Sequence, residues 1–124
     1  MEVGCFDFER LVVFQKSQEF YKLIRTIRFQ STQEDRIVAR QLIRAALSIP
    51  LNIAEGSGRT SLRDRRNFFV IARGSSFECA AIILSMKSDN NKKTWMYQEH
   101  YNKILEVTKI LSTIISNLDT KISS

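Results

Sequence analysis

A chain of 124 residues with 44% hydrophobic and 26% charged residues has the length and composition of one soluble globular domain. One proline and four glycines are too few for the turns of an all-β chain and favour long helices. The formal charge is +6, and eleven of the 19 Lys/Arg but only four of the 13 acids fall between Lys22 and Arg73.

Residues 1–7 read as a loosely ordered lead without a basic or apolar leader pattern, and no apolar run reads as a membrane span. The expected location is therefore cytoplasmic, with no membrane partner. From Phe8 or Leu11 a helical pattern begins. Val13, Ser17, Phe20, Ile24 and Ile27 recur at helical spacing, and Phe14 and Tyr21 widen that face. Gln30–Gln33 breaks the pattern, and Thr32 is the expected N-cap of the next helix.

The second helix is expected from about Gln33 to Glu55. Val38, Leu42, Ala45, Ile49 and Ile53 form one apolar stripe. Ala39, Ile43, Ala46, Leu47, Pro50 and Ala54 form another beside it. Together they cover roughly 200° of the wheel, more than a surface helix needs. Gln41, Arg44, Ser48, Asn52 and Glu55 make a third, polar row. Pro50 lacks a backbone donor and crowds the carbonyl of Ala46, so a kink is expected there. Gly56 is expected to end the helix as a left-handed cap.

Ser61 caps a third helix, from Leu62 to about Lys87, with Asp64 as a weak capping-box acid. Its second half, Phe77 to Met86, is apolar nearly all round, which implies burial on more than one side. Gly74 in mid-helix costs about 1 kcal/mol against Ala; close approach of a neighbouring backbone is the expected gain. Ser88–Lys93 reads as a polar loop, and Thr94 as the cap of a fourth helix, about Trp95 to Leu118. Its seam is Tyr97, Tyr101, Ile104, Thr108, Leu111, Ile115 and Leu118, broadened by Ile110 and Ile114. Residues 119–124 are expected to fray. Four helices with short connections predict one all-α domain over residues 1–124, with its core at about 8–118. The architecture is an antiparallel up-down-up-down four-helix bundle with helix two kinked at Pro50.

No catalytic, metal or cofactor signature is present. Cys5 and Cys79 are unclustered, so they make neither a disulfide framework nor a metal site, and Cys79 is expected to be buried. His100 has no ligand-type residue at metal spacing and reads as a helix-surface residue. Gly56-Ser57-Gly58 matches neither a Walker loop nor GxGxxG. Glu55 and Glu78 lie beside arginines, Arg44 or Arg59 for the first and Arg73 for the second. An ion pair that fixes helix register explains them better than a carboxylate dyad. With Gln41, Arg44, Ser48 and Asn52 they form a structural polar network. A small polar ligand near Arg44, Asn52 and Glu55 is a remote alternative.

The arginines carry the sharper idea. Arg36, Arg40 and Arg44 lie four apart on one helix edge; Arg59, Arg63, Arg65, Arg66 and Arg73 follow on the next segment. Packing of helices two and three is expected to merge the two edges into one patch for nucleic-acid phosphates, since Arg presents a planar fork of donors. The same charges also suit a solvated helix face. RNP, zinc-finger and helix-turn-helix signals are missing.

The stretch Gln41-Leu-Ile-Arg-Ala-Ala-Leu-Ser-Ile-Pro-Leu-Asn-Ile-Ala-Glu-Gly-Ser-Gly-Arg59, with Phe68-Phe-Val-Ile-Ala-Arg-Gly-Ser75, Glu78 and the opening Phe8-x-x-Leu11-x-Val13-Phe14-Gln15, resembles a bacterial family of four-helix-bundle proteins. Its founding members are encoded in intervening sequences of 23S ribosomal RNA genes. The resemblance runs from Phe8 to about Leu118. It implies an antiparallel bundle assembled as a homo-oligomeric ring, with pentamers known among relatives. It also implies a role at ribosomal or other structured RNA, or at DNA. A distant branch serves reverse transcriptases of retroelements as an accessory protein, which adds such an enzyme as an implied partner. Ile43 and Leu51 depart from the family pattern, which carries Arg and a small residue there. The expectation is a non-enzymatic, basic, homo-oligomeric bundle without cofactors that binds RNA or DNA phosphates. Its rival is a protein-interaction scaffold with no nucleic-acid role.

Overall fold

The computed structural model describes residues 5–27, 33–89 and 94–124. A short 3-10 turn, Asp7–Arg10, precedes four helices: α1 (Val12–Arg25), α2 (Gln33–Ser57), α3 (Leu62–Asp89) and α4 (Thr94–Ser123). Among the described residues there is no strand. The helices close in chain order: α1 packs on α2, α2 on α3, α3 on α4, and α4 on α1. The all-α four-helix bundle read from the sequence is thus the observed fold.

The apolar stripes form its interior. Val13, Phe20 and Ile24 of α1, Leu42, Ala45, Ile49 and Ile53 of α2, and Ile104, Leu111, Ile115 and Leu118 of α4 are all buried. From α3 come Phe69, Ala72, Cys79 and Ile83. Two serines share this core, and each hydroxyl is satisfied locally. Ser17 Oγ donates to the Phe14 carbonyl at 2.8 Å and Ser76 Oγ to that of Arg73 at 2.6 Å.

Side-chain pairs across the seams set chain direction. Between α2 and α3, Arg44 meets Glu78 and Ser48 meets Ser75. Between α3 and α4, Arg66 meets Asp119, Arg73 meets Ser112 and Ser76 meets Thr108. Between α1 and α4, Lys16 meets Glu106 and Glu19 meets Lys103. In each seam, numbers rise along one helix as they fall along its neighbour.

The chain ends differ from expectation. Phe6 N–H donates to Glu9 Oε2 at 2.7 Å, and Phe6 stacks on Phe8, whose ring meets Phe14 edge-on. These contacts order the lead into a turn, and the helix proper starts at Val12. At the other end α4 runs on to Ser123 instead of fraying after Leu118. No breaker follows Leu118, and the Thr120 hydroxyl donates to the Ser116 carbonyl at 3.1 Å. Between α2 and α3, Ser61 is the cap expected, its Oγ accepting from the Asp64 N–H at 3.3 Å. Thr32 and the loop residues 90–93 lie outside the described residues. Thr94, expected as a cap, is already the first helical residue of α4.

Both informative glycines sit differently from their expected roles. Gly56 is buried inside α2, not a cap beyond it. A Cβ there would come within 2.9 Å of Phe68 Cβ and 3.2 Å of the Arg65 carbonyl oxygen, so its value is close helix–helix approach. Gly74, expected to meet a neighbouring backbone, has nothing within 4 Å of its Cβ position. Pro50 is buried within an unbroken α2. Two segments, Asp35–Ser57 and Leu62–Met86, turn out long and apolar enough to cross a membrane by length and composition alone. Each nevertheless turns one face into the bundle core.

The glycines make opposite predictions in urea denaturation. Gly74→Ala adds helix propensity in open space and should raise stability by about 0.5–1 kcal/mol. Gly56→Ala must push α2 off α3 and should lower stability by about 1–3 kcal/mol. Equal shifts for the two would contradict this placement.

Candidate nucleic-acid interface

The register of α2 against α3 decides where the arginines lie. Gly56 faces Arg65 and Phe68, whereas Arg44 faces Glu78. The first turns of α2 and of α3 are therefore at opposite ends of the pair. At 1.5 Å per residue, Arg40 lies about 25 Å along α2 from its last residue, Ser57, just beyond which Arg59 follows. The two arginine edges expected to merge do not form a single patch.

At the α3 end most of the arginines are engaged within the chain. Arg59 pairs with Glu55 at 2.8 Å and stacks over Phe68 at 4.7 Å. Arg65 donates to the Arg59 carbonyl at 3.0 Å, while its Nε is buried without a hydrogen-bond partner. Arg66 is paired with Asp119. Further along, Arg73 reaches Ser112 at 3.4 Å and lies over Phe77. Arg63 is exposed and has no such partner among the described residues. A cleft of about 420 Å³ opens beside Arg65 and Lys121, floored by Leu11, Phe69, Ile114 and Leu118.

The α2 end is different. Arg36 and Arg40 are exposed in the first turns of α2, next to the last turn of α1 with exposed Lys22 and Arg25. The α1–α2 packing and the short link between these helices bring the four cations to one end of the bundle. Among the described residues Lys22, Arg25 and Arg40 have no acidic partner. Arg25 stacks over Tyr21 at 5.6 Å. Lys22 and Arg25 escaped selection from the sequence because they belong to a different helix; the charge count from Lys22 onward was their signal.

The polar row of α2 resolves into separate groups. Arg44 Nη2 donates to Gln41 Oε1 and Glu78 Oε2, both at 2.9 Å. Glu78 therefore pairs across the seam with Arg44, not with Arg73. With side chains 64% and 40% exposed, this pair contributes at most about 1 kcal/mol. The Ser48 and Ser75 hydroxyls are 2.8 Å apart, and Asn52 Nδ2 donates to the Ser48 carbonyl at 2.8 Å. Glu55 joins none of these and pairs with Arg59. Ser75, the partner of Ser48, was not anticipated.

A family model for 23S rRNA-intervening sequence proteins matches residues 9–113. The chain belongs to that family. A protein of unknown function from the S23 ribosomal protein family of Bacteroides thetaiotaomicron, solved by crystallography, is similar in structure. It shares 26% identity with a TM-score of 0.71, over 84% of this chain and 98% of that one. None of the curated proteins matches.

His100, expected at the surface, is instead buried at 2% exposure on α4. Among the described residues no cluster of His, Cys, Asp or Glu fits a metal ion. Cys79 is fully buried, and desolvation, then the charge of Glu78, pushes its thiol from 9.0 up to about 12. The folded state holds this proton more tightly than the unfolded chain, so the contribution to stability is present below pH 9.0 and lost as pH rises towards 12. In a thiol titration with an aromatic disulfide at mildly alkaline pH, only Cys5 should react quickly in the native protein. Cys79 should appear on addition of denaturant. Two fast thiols in the native protein would contradict its burial.

Proposed function

We propose that this 23S rRNA-intervening sequence protein is a non-enzymatic, homo-oligomeric bundle whose α1–α2 end binds RNA phosphates. The observation that carries the reading is the cluster of Lys22, Arg25, Arg36 and Arg40 at one end, three of them without an acidic partner among the described residues. A cation already held by a carboxylate must break that pair to bind phosphate, and one held only by water need not. This favours the α1–α2 end over Arg59 and Arg66, which are held by Glu55 and Asp119. The contact is with backbone, because Lys and Arg side chains pair with phosphate oxygens whatever the base, and binding is to be read as shape- and charge-selective. The 23S rRNA connection of the family supports RNA over DNA as the polyanion.

Salt-dependent binding to structured RNA tests this. Three phosphate contacts per subunit, from Lys22, Arg25 and Arg40, should lose roughly fortyfold in affinity between 50 and 200 mM salt. Lys22→Ala with Arg40→Ala should weaken binding roughly tenfold or more and reduce the salt slope by about two. Arg66→Ala, which removes an internally paired cation, should change affinity much less. Undetectable binding at low salt would remove the reading and leave the interaction-scaffold alternative. A larger effect at Arg66 than at Lys22 and Arg40 would move the interface to the other end.

A further inference from the structure

The cleft of about 420 Å³ lies at the end of the bundle opposite Arg36 and Arg40, where α2 closes at Ser57. The opening turn of the chain, the end of α2, the start of α3 and the end of α4 all contribute to its wall. Its volume falls in the range of small-molecule sites, about 300–1,000 Å³. The floor is apolar. Phe69 and Leu118 are buried there, and half-buried Leu11 and Ile114 rise beside them.

Two cations border this floor, and neither has a carboxylate partner among the described residues. Lys121, in the last turn of α4, makes no ion pair there. Arg65 differs from its neighbours Arg59 and Arg66, which are held by Glu55 and Asp119. Its Nη2 donates to the Arg59 carbonyl at 3.0 Å, which tethers the guanidinium at the cleft. Its Nε is buried with no hydrogen-bond partner. A buried donor without an acceptor is destabilising, so a guanidinium in that state gains more from an anion than one bathed in water does.

The third charge in the wall is Asp7. These charges and the floor together select a class of ligand. A phosphate would suit the cations, but it would leave the apolar floor unused and bring a second negative charge towards Asp7. A neutral hydrocarbon would suit the floor and leave the Arg65 donor unmet. A molecule with one carboxylate and an apolar body answers both. Its carboxylate matches the planar fork of Arg65, with the Lys121 ammonium as a second positive charge, and its body covers Phe69, Ile114 and Leu118.

We propose that this cleft binds a small monocarboxylate with an apolar body. The site is separate from the cationic α1–α2 end and does not depend on RNA binding there.

Calorimetric titration of the full chain with phenylbutyrate tests the proposal. Binding should saturate at one ligand per subunit. Phenylbutanol, with the same body and no charge, should bind roughly tenfold or more weakly. That comparison needs no variant. Arg65→Gln should weaken the acid by a similar factor and bring acid and alcohol to comparable affinity. Asp7→Asn removes the neighbouring negative charge and should tighten the acid severalfold. Ile114→Trp fills the cleft and should abolish binding with unchanged helical circular dichroism. Lys22→Ala with Arg40→Ala should leave phenylbutyrate affinity unchanged while weakening RNA, so the two sites stand or fall separately. No saturable binding at millimolar phenylbutyrate would overturn the assignment. So would equal affinity for acid and alcohol in the unmodified protein, or binding that survives Ile114→Trp.

Discussion

The contact of Gly56 with α3 is the constraint from which most of the arrangement follows. A side chain larger than hydrogen has no room against Phe68 Cβ and the Arg65 carbonyl. The backbones of α2 and α3 therefore meet at that level, and the short link through Gly58 and Thr60 leaves little freedom to slide. With the crossing pinned there, each step up α3 is a step down α2. Ser75 arrives at Ser48 and Glu78 at Arg44. The same register carries Arg36 and Arg40 far from Arg59 and Arg63. A helix pair with a looser crossing would admit other registers, and the position of every cation would change with them.

Separation of the cations matters more than their number. A formal charge of +6 spread evenly over a bundle makes a weak general field. Internal pairing reduces it unevenly. Glu55, Glu78 and Asp119 hold Arg59, Arg44 and Arg66, so these guanidinium groups bind helices to each other or steady the α2–α3 turn. Each such pair is at least partly exposed and contributes little to stability. Its larger effect is to remove a cation from the pool available to a polyanion. One group of those that remain lies where α1 ends and α2 begins. There the negative end of the α1 dipole stabilises Lys22 and Arg25 without neutralising them as a carboxylate would.

The fold was legible in the sequence because it depends on periodicity, a local property. Val13, Phe20 and Ile24, or Leu42, Ile49 and Ile53, are spaced for burial whatever surrounds them. The candidate site depends on register and helix order, which are not local. Arg59 and Arg36 look alike in sequence; only the Gly56 crossing puts them at different ends. Lys22 joins Arg40 only once α1 is known to pack on α2. The two glycines show the same limit. Gly56 next to Ser57 and Gly58 has the appearance of a cap, yet the carbonyl and ring opposite it come from residues nine and more positions away. His100 was misplaced for a related reason: a single polar residue has no periodicity of its own, and its neighbours Tyr97 and Ile104 carried the signal for a buried face.

One end of one subunit offers only about four cations, and that number limits what a monomer can do. At physiological salt, a contact of that size to structured RNA is weak, because the released counterions supply little driving force. Affinity from such ends must come from repetition. Subunits assembled as a homo-oligomer, as proposed above, would present the same cationic end several times on one scaffold. After the first contact, each further one is intramolecular, so overall affinity can rise by two or more orders of magnitude without any new chemistry. Such an assembly would need little base readout, because the spacing between repeated phosphate contacts would select the shape of the RNA.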